Sequence, residues 1–321
     1  MAPRSTPATV LHTQRSESDR FLPEGPRPVT IDGRSALAWV NIQTKADART
    51  GVIHARFWDT GELRTYPQAR RPGFLLPTTR PNTFFVGREK EVGLLDLASN
   101  SFTPLATIPD QNPRTIINDG EVVPGGKAIV FGTKDVRFAA PIADLYLFTV
   151  DDCQISVLAP EQTCSNGKVF ARDRDGLALY DIDTPKRNVV RYRLDVAARK
   201  VFEPKVVVDV KCIDGFPDGM IGAGDGSVVI AFYNPAPVAT GRAVRFNLTT
   251  GEAMEEWTTP GSPRVTCPLV LNLDGRVRLV LTTATEGMPA ELRERCPEAG
   301  NHFIADTAIA RAPASEFVRI P

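Results

Sequence analysis

The chain has 321 residues with 38 basic and 38 acidic side chains, so it is long enough for a large core and carries no net charge. No basic block or stripe is present and no apolar run reaches membrane-spanning length, which argues against nucleic acid and membrane as partners. Five cysteines without CxxC spacing and three scattered histidines, His12, His54 and His302, favour reduced thiols in the cytoplasm and argue against a His/Cys zinc site, so any metal is expected on oxygen ligands.

Residues 1–20 lack the continuous apolar segment of a secretory signal. Their arginines, serines and threonines faintly suggest a transit peptide, but the prolines and the acidic Glu17 and Asp19 argue for a flexible tail ahead of one domain over residues 21–321. Leu37 to Ile42 then reads as a strand, with Glu24 before it between Pro23 and Gly25. Val52 to Trp58, a turn at Asp59-Thr60-Gly61 and Glu62 to Tyr66 form a predicted hairpin, and strand, turn and strand recur to the C-terminus. The best helical window, PAELRER at 289–295, is a turn or two, so the fold class is all-β.

A repeat runs through the middle of the chain. VGLLDLASNSFTPL, DLYLFTVDDCQISVL, VVRYRLDVAARKVFEP and AVRFNLTTGEAMEEW share one grammar of alternating strand, polar turn and second strand. The copies recur at roughly 45 to 55 residues, the length of a propeller blade. About 300 residues beyond the tail give about six blades, and a six-bladed β-propeller of four-stranded blades around a central channel explains the buried runs VVIAF and IVF. Two β-sandwiches explain the repeat less well.

Polar residues precede four of the predicted innermost strands. Glu24 precedes LAWVNI, Asn118-Asp119-Gly120 precedes KAIVFG, Asn166-Gly167 precedes GLALYDI, and Asp218-Gly219 precedes SVVIAFY. In a propeller such positions converge on one end of the channel, although they are far apart in sequence. Pro217-Asp218-Gly219 fixes the backbone on both sides of an acid. Taken singly, each is as well explained as a turn residue or a surface acid. Asp119 and Asp183 read as turn aspartates, Cys164 as a buried inert thiol, and the tryptophans as core.

PEGP at 23–26, GLLDLAS at 93–99, NDGEVVPGG at 118–126, FGT at 131–133, SNG at 165–167, LYDIDTP at 179–185 and FPDGM at 216–220 stand in order along the chain. In that order they resemble the senescence-marker-protein/gluconolactonase/luciferin-regenerating-enzyme family from Leu22 onward. The resemblance implies a six-bladed propeller with one divalent metal at the channel mouth, calcium first, with zinc, magnesium or manganese as alternatives. It implies Glu24, Asn166 and Asp218 as metal ligands, Asp218 also as catalytic base, and Asn118 beside the metal in contact with substrate or water. The family's arginine two residues before the asparagine of NDG is Ile116 here. Arg114 shares that face of an extended segment and is the substitute expected at the pocket rim. Val123 replaces the family's aspartate in NDGxxD.

Two carboxylates and an amide form a hard, oxygen-only site that leaves room for water and substrate. The expected function is therefore a metal-dependent lactonase, a hydrolase acting on cyclic carboxylic esters of sugar acids or similar small hydroxy acids. The alternatives are a non-catalytic metal- or ligand-binding propeller, or a hydrolase of another ester class at the same site. The expected partner is a small-molecule lactone or ester, and the expected assembly a monomer or homodimer.

Overall fold

The continuous apolar runs of this chain become strands buried on both faces. The structure, a computed structural model, describes residues 4–320. Two short strands, β1 (Arg4–Pro7) and β2 (Thr9–His12), and one helical turn, α1 (Glu17–Arg20), come first. The first blade is β3 (Pro23–Ile31), β4 (Arg34–Asn41), β5 (Gly51–Phe57) and β6 (Leu63–Gln68). The second is β7 (Pro72–Pro77), β8 (Thr83–Arg88), β9 (Glu91–Asp96) and β10 (Ser101–Thr107). The third is β11 (Thr115–Val122), β12 (Ala128–Asp135), β13 (Ala143–Thr149) and β14 (Gln154–Gln162). The fourth is β15 (Ser165–Asp173), β16 (Gly176–Asp183), β17 (Asn188–Asp195) and β18 (Lys200–Asp209). The fifth is β19 (Phe216–Gly222), β20 (Ser227–Tyr233), β21 (Thr240–Asn247) and β22 (Ala253–Pro260). The sixth holds β23 (Val265–Leu273), β24 (Arg276–Thr283) and, after the short helix α2 (Ala290–Arg295), β25 (His302–Asp306).

The first strand of each blade packs on the first strand of the next, and β23 returns to β3. The six sheets thus close into a six-bladed β-propeller with these strands around the channel. Among the described residues, no helix is long and apolar enough to cross a membrane.

Residues 4–12 differ from the flexible tail that their composition suggests. β2 pairs antiparallel with β25 and completes the sixth blade, and β1 lies parallel to β22 as a fifth strand of that sheet. The outer strands β22 and β25 would otherwise present unpaired backbone N–H and C=O groups, and the N-terminal segment satisfies them. The ring is therefore closed by strands from both ends of the chain.

Each inner strand breaks register with its neighbour once. The breaks fall between Glu24 and Arg27, Pro72 and Phe74, Ile117 and Asp119, Asn166 and Val169, Pro217 and Met220, and Val265 and Pro268. A bulge bends its strand and re-aims a side chain. Glu24, Asn118, Asn166 and Asp218 stand at four of these breaks. The sequence reading placed them on loops ahead of the inner strands. In the structure LAWVNI, KAIVFG, GLALYDI and SVVIAFY lie in the second strands β4, β12, β16 and β20, and the polar residues are inside the inner strands. A bulge built on glycine or proline interrupts the alternation of a strand, so in sequence it looks like a turn.

Candidate active site

Glu24, Asn118, Asn166 and Asp218 line one cavity of about 490 Å³, together with Leu22, Lys134, Val136, Phe138, Cys164, Thr184, Pro185, Phe216, Tyr233, Pro235 and Glu286. Four blades contribute the four polar residues, from β3, β11, β15 and β19. Asn118, Asn166 and Asp218 are all buried.

The two amides are locked together. Asn118 Nδ2 donates to Asn166 Oδ1 at 2.8 Å and to the Ser165 carbonyl at 3.0 Å. Asn166 Nδ2 donates to Thr184 Oγ1 at 2.8 Å. Both N–H groups of Asn118 are thus engaged, and its own carbonyl oxygen is the end left to meet a ligand. Gly167 has φ +48°, and a Cβ there would lie 2.5 Å from Met220 Cβ, so the sharp turn after Asn166 requires glycine.

The two carboxyl groups are held at unusual protonation. Burial raises Glu24 well above the ordinary carboxylate range, and the charges of Asp218 and Asp119 raise it further, against the pull of Lys134 and the Gly25 N–H. Burial likewise raises Asp218, with Asp119 and Glu286 adding to the effect and Lys134 opposing it. Two desolvated carboxylates that repel one another, Asp218 buried and Glu24 half-buried, are an arrangement a divalent cation relieves. The donor set is oxygen only, two carboxylates with the carbonyl ends of two amides beside them, and fits a hard cation. Among the described residues no three His, Cys, Asp or Glu side chains form a metal cluster, so such a site depends on amide oxygen as well as carboxylate.

Gly219 fixes the height of Asp218. A Cβ on Gly219 would meet Cys267 Sγ at 2.6 Å and its Cα and Cβ at 2.8 Å. Gly219→Ala is expected to push β19 away from β23, costing about 1–3 kcal/mol of stability and displacing the Asp218 carboxylate. Thermal melting of the variant checks this; an unchanged midpoint would mean that the inner strands can slide apart freely.

Arg114 is not brought to the cavity. Its guanidinium is bound to both oxygens of Asp135, with Nε at 3.2 Å from Oδ1. Asp135 is fully buried and also accepts the N–H groups of Arg137, Ala139 and Ala140 at 3.0, 3.0 and 3.1 Å. That strong local acceptor draws the guanidinium away from the channel. Arg114 therefore braces the loop that carries Val136 and Phe138 and is not among the residues lining the cavity, where direct substrate contact was expected of it.

Asp183 is structural, as its turn motif suggests: it accepts the N–H groups of Thr163 and Cys164, both at 3.0 Å. The Cys164 thiol is buried, and burial raises its pKa far above that of a reactive thiol. The sequence reading missed Lys134, Glu286 and Tyr233 as cavity residues. Lys134 had a readable signal, a basic charge at the penultimate position of β12, next to Asp135 at the end of a strand otherwise made of apolar and small residues.

Comparison with known proteins follows the same lines. The pattern described as SMP-30/Gluconolactonase/LRE-like region matches residues 22–285. An L-arabinolactonase from Azospirillum brasilense is 27% identical over 298 residues, 90% of this chain and 90% of that protein. Regucalcin from Danio rerio is 24% identical over 280 residues, 87% of this chain and 89% of its own length. Among solved structures, a calcium-binding protein, regucalcin, from Agrobacterium tumefaciens superposes with a TM-score of 0.81 at 20% identity, covering 99% of both chains. A gluconolactonase from Xanthomonas campestris superposes with a TM-score of 0.64 at 15% identity, covering 95% of this chain and 96% of that one.

Proposed function

The chain belongs to the SMP-30/gluconolactonase/LRE-like family, and from that premise we propose that it is a divalent-metal-dependent lactonase that opens lactones of sugar acids or similar small hydroxy acids. The observation that carries this reading is the convergence of Glu24, Asn118, Asn166 and Asp218 from four blades onto one cavity. The names of the lactonase relatives from Azospirillum brasilense and Rhizobium meliloti agree with it.

Glu24, Asp218 and the carbonyl oxygen of Asn166 would hold the ion. When bound, the ion supplies Lewis acidity that polarises the lactone carbonyl. Asp218 acts as general base and takes a proton from the attacking water. The ring C–O bond breaks, the proton is passed to the ring oxygen, and a hydroxy acid is released. Asn118 accepts a hydrogen bond from the substrate or the water through Oδ1, because both of its N–H groups are committed to Asn166 and Ser165. The apolar walls limit bulk water around the reacting carbonyl.

Proton release from a panel of small lactones tests the reading, first after chelation and then with calcium, zinc, magnesium or manganese added back. Chelation is expected to lower the rate by roughly two orders of magnitude, the worth of several kcal/mol of charge stabilisation, and one of the ions to restore it. Stoichiometric ion binding without turnover of any lactone or ester would favour the binding-protein alternative. An active enzyme indifferent to chelation would remove the ion from the mechanism.

A further inference from the structure

One polar group in the cavity has no part in the roles above. Lys134, near the end of β12, is only 5% exposed and is the one lysine or arginine among the described residues lining the cavity. Neighbouring cations are matched: Lys168 lies 3.3 Å from Asp181, Arg27 is paired with Glu121, and Arg114 with Asp135. Lys134 has no side-chain hydrogen bond or ion pair among the described residues, and its ammonium stands 5.9 Å from the centre of the Phe138 ring. A buried ammonium without a partner is costly, so what the cavity admits is expected to supply one.

The surroundings do not provide that partner. Ile116 faces Lys134 across the β11–β12 ladder and is buried and apolar. Cys164 bridges it from the other side as a neutral thiol. Glu24 and Asp218 feel its charge without contacting it, and a divalent ion between them would take up both of their charges. Glu286 stands beside Arg264, whose guanidinium donates to its main-chain oxygen.

We propose that Lys134 determines substrate specificity by pairing with a carboxylate carried on the lactone, while the hydrocarbon part of that lactone lies against Val136 and Phe138. The proposal rests on the lactonase reading and narrows it. Phe138, Phe216 and Pro235 offer no partner to a ring bearing many hydroxyl groups, whereas one ammonium matches one anionic group. A phosphate dianion fits less well, because a single ammonium is a point charge and Glu286 would repel the second negative charge.

The test compares α-hydroxyglutarate γ-lactone with its carboxamide, which has nearly the same size and shape, lacks the charge and adds no second ester bond. The wild type is expected to prefer the acid in kcat/KM. Lys134→Met is expected to lower that preference roughly 10- to 100-fold, the range for losing a charged hydrogen bond. Lys134→Arg should retain most of the preference, and Lys134→Glu should reverse it. Calcium affinity in K134M should equal or exceed that of the wild type, since a like charge beside the ion is removed. An equal loss for both lactones, or no change in the preference, would overturn the proposal. A wild type that turns over other lactones but neither of these also overturns the proposal; if it hydrolyses no lactone or ester at all, the hydrolase reading fails by itself, and titration with the open α-hydroxyglutarate decides on Lys134. Tighter binding by the wild type than by K134M then upholds the assignment, and equal binding overturns it.

Discussion

Asp218→Asn is expected to lower lactone hydrolysis by ~10³-fold or more, and saturating metal is not expected to restore it. The substitution keeps the side chain's shape within β19 and removes both a negative charge and the proton acceptor. Glu24→Gln is the informative partner variant, because Glu24 is assigned only to holding the ion. Its loss should appear as weakened ion affinity, and excess calcium should recover much of the rate. The pair is read by single-turnover proton release at increasing calcium, with ion binding measured separately. Asp218→Asn activity within tenfold of wild type, with the ion bound, would show that another group takes the proton. Identical rescue curves for both variants would leave Asp218 as a ligand only.

Acid is expected to weaken the seam that closes the ring. His12 on β2, His54 on β5 and His302 on β25 surround the fully buried Trp39 on β4, at ring separations of 5.6, 5.1 and 4.4 Å. These strands belong to the first and sixth blades, so the cluster lies where the two ends of the chain meet. Burial holds His54 down to about 4, against the opposing charge of Asp19, and holds His12 down to about 4, helped by Arg56 and Arg15. Burial drives His302 well below the ordinary imidazole range, with His12 and His54 adding to the effect. Gln14 Nε2 lies 3.2 Å from His302 Nε2 and must donate to it, so that nitrogen is an acceptor and the ring is neutral.

The direction follows from linkage. Above about pH 6.5 the three rings are neutral in both the folded and unfolded chain and contribute no difference. As the pH falls below that value, the unfolded chain binds protons that the folded chain refuses, and stability is lost until about 4, where His12 and His54 also protonate in the fold. For His54 the loss is on the order of 3 kcal/mol; His12 counts for less because solvent partly screens it. Glu24 and Asp218 act with the opposite sign: their raised carboxyls stabilise the fold at low pH and cost stability as pH rises through their folded values. Thermal midpoints of the wild type and His54→Gln, from about pH 7.5 to about pH 4.5, separate the two effects, since the carboxyl contribution is common to both. The variant should lose less on acidification. Parallel curves would show that the seam tolerates a charged His54.

Much of the fold was legible because its signals are local. Blade-length repetition, alternating strands and fully apolar runs such as SVVIAFY follow from the burial each strand must achieve, and they specify a six-bladed propeller without knowledge of contacts. The four polar residues were legible as a set because they recur at one place in the repeat. Their setting was not: a bulge inside an inner strand and a turn before one share the same glycine and proline signals, and only the register of the ladder tells them apart.

The sequence by itself determined the fold class, the number of blades and the identity of four side chains that share a cavity. Tertiary structure decided the rest, because the deciding partners are distant in the chain. Arg4–Pro7 is polar and ends in proline, Thr9–His12 is only four residues long, and they become strands because β22 and β25 offer open edges some 250 residues away or more. Arg114 could face the channel on strand periodicity alone, but the buried carboxylate of Asp135 captures it. Lys134 is an ordinary lysine in sequence. It becomes a feature of the site because the closing ring buries it beside Glu24 and Asp218 and gives it no hydrogen-bond or ion-pair partner among the described residues.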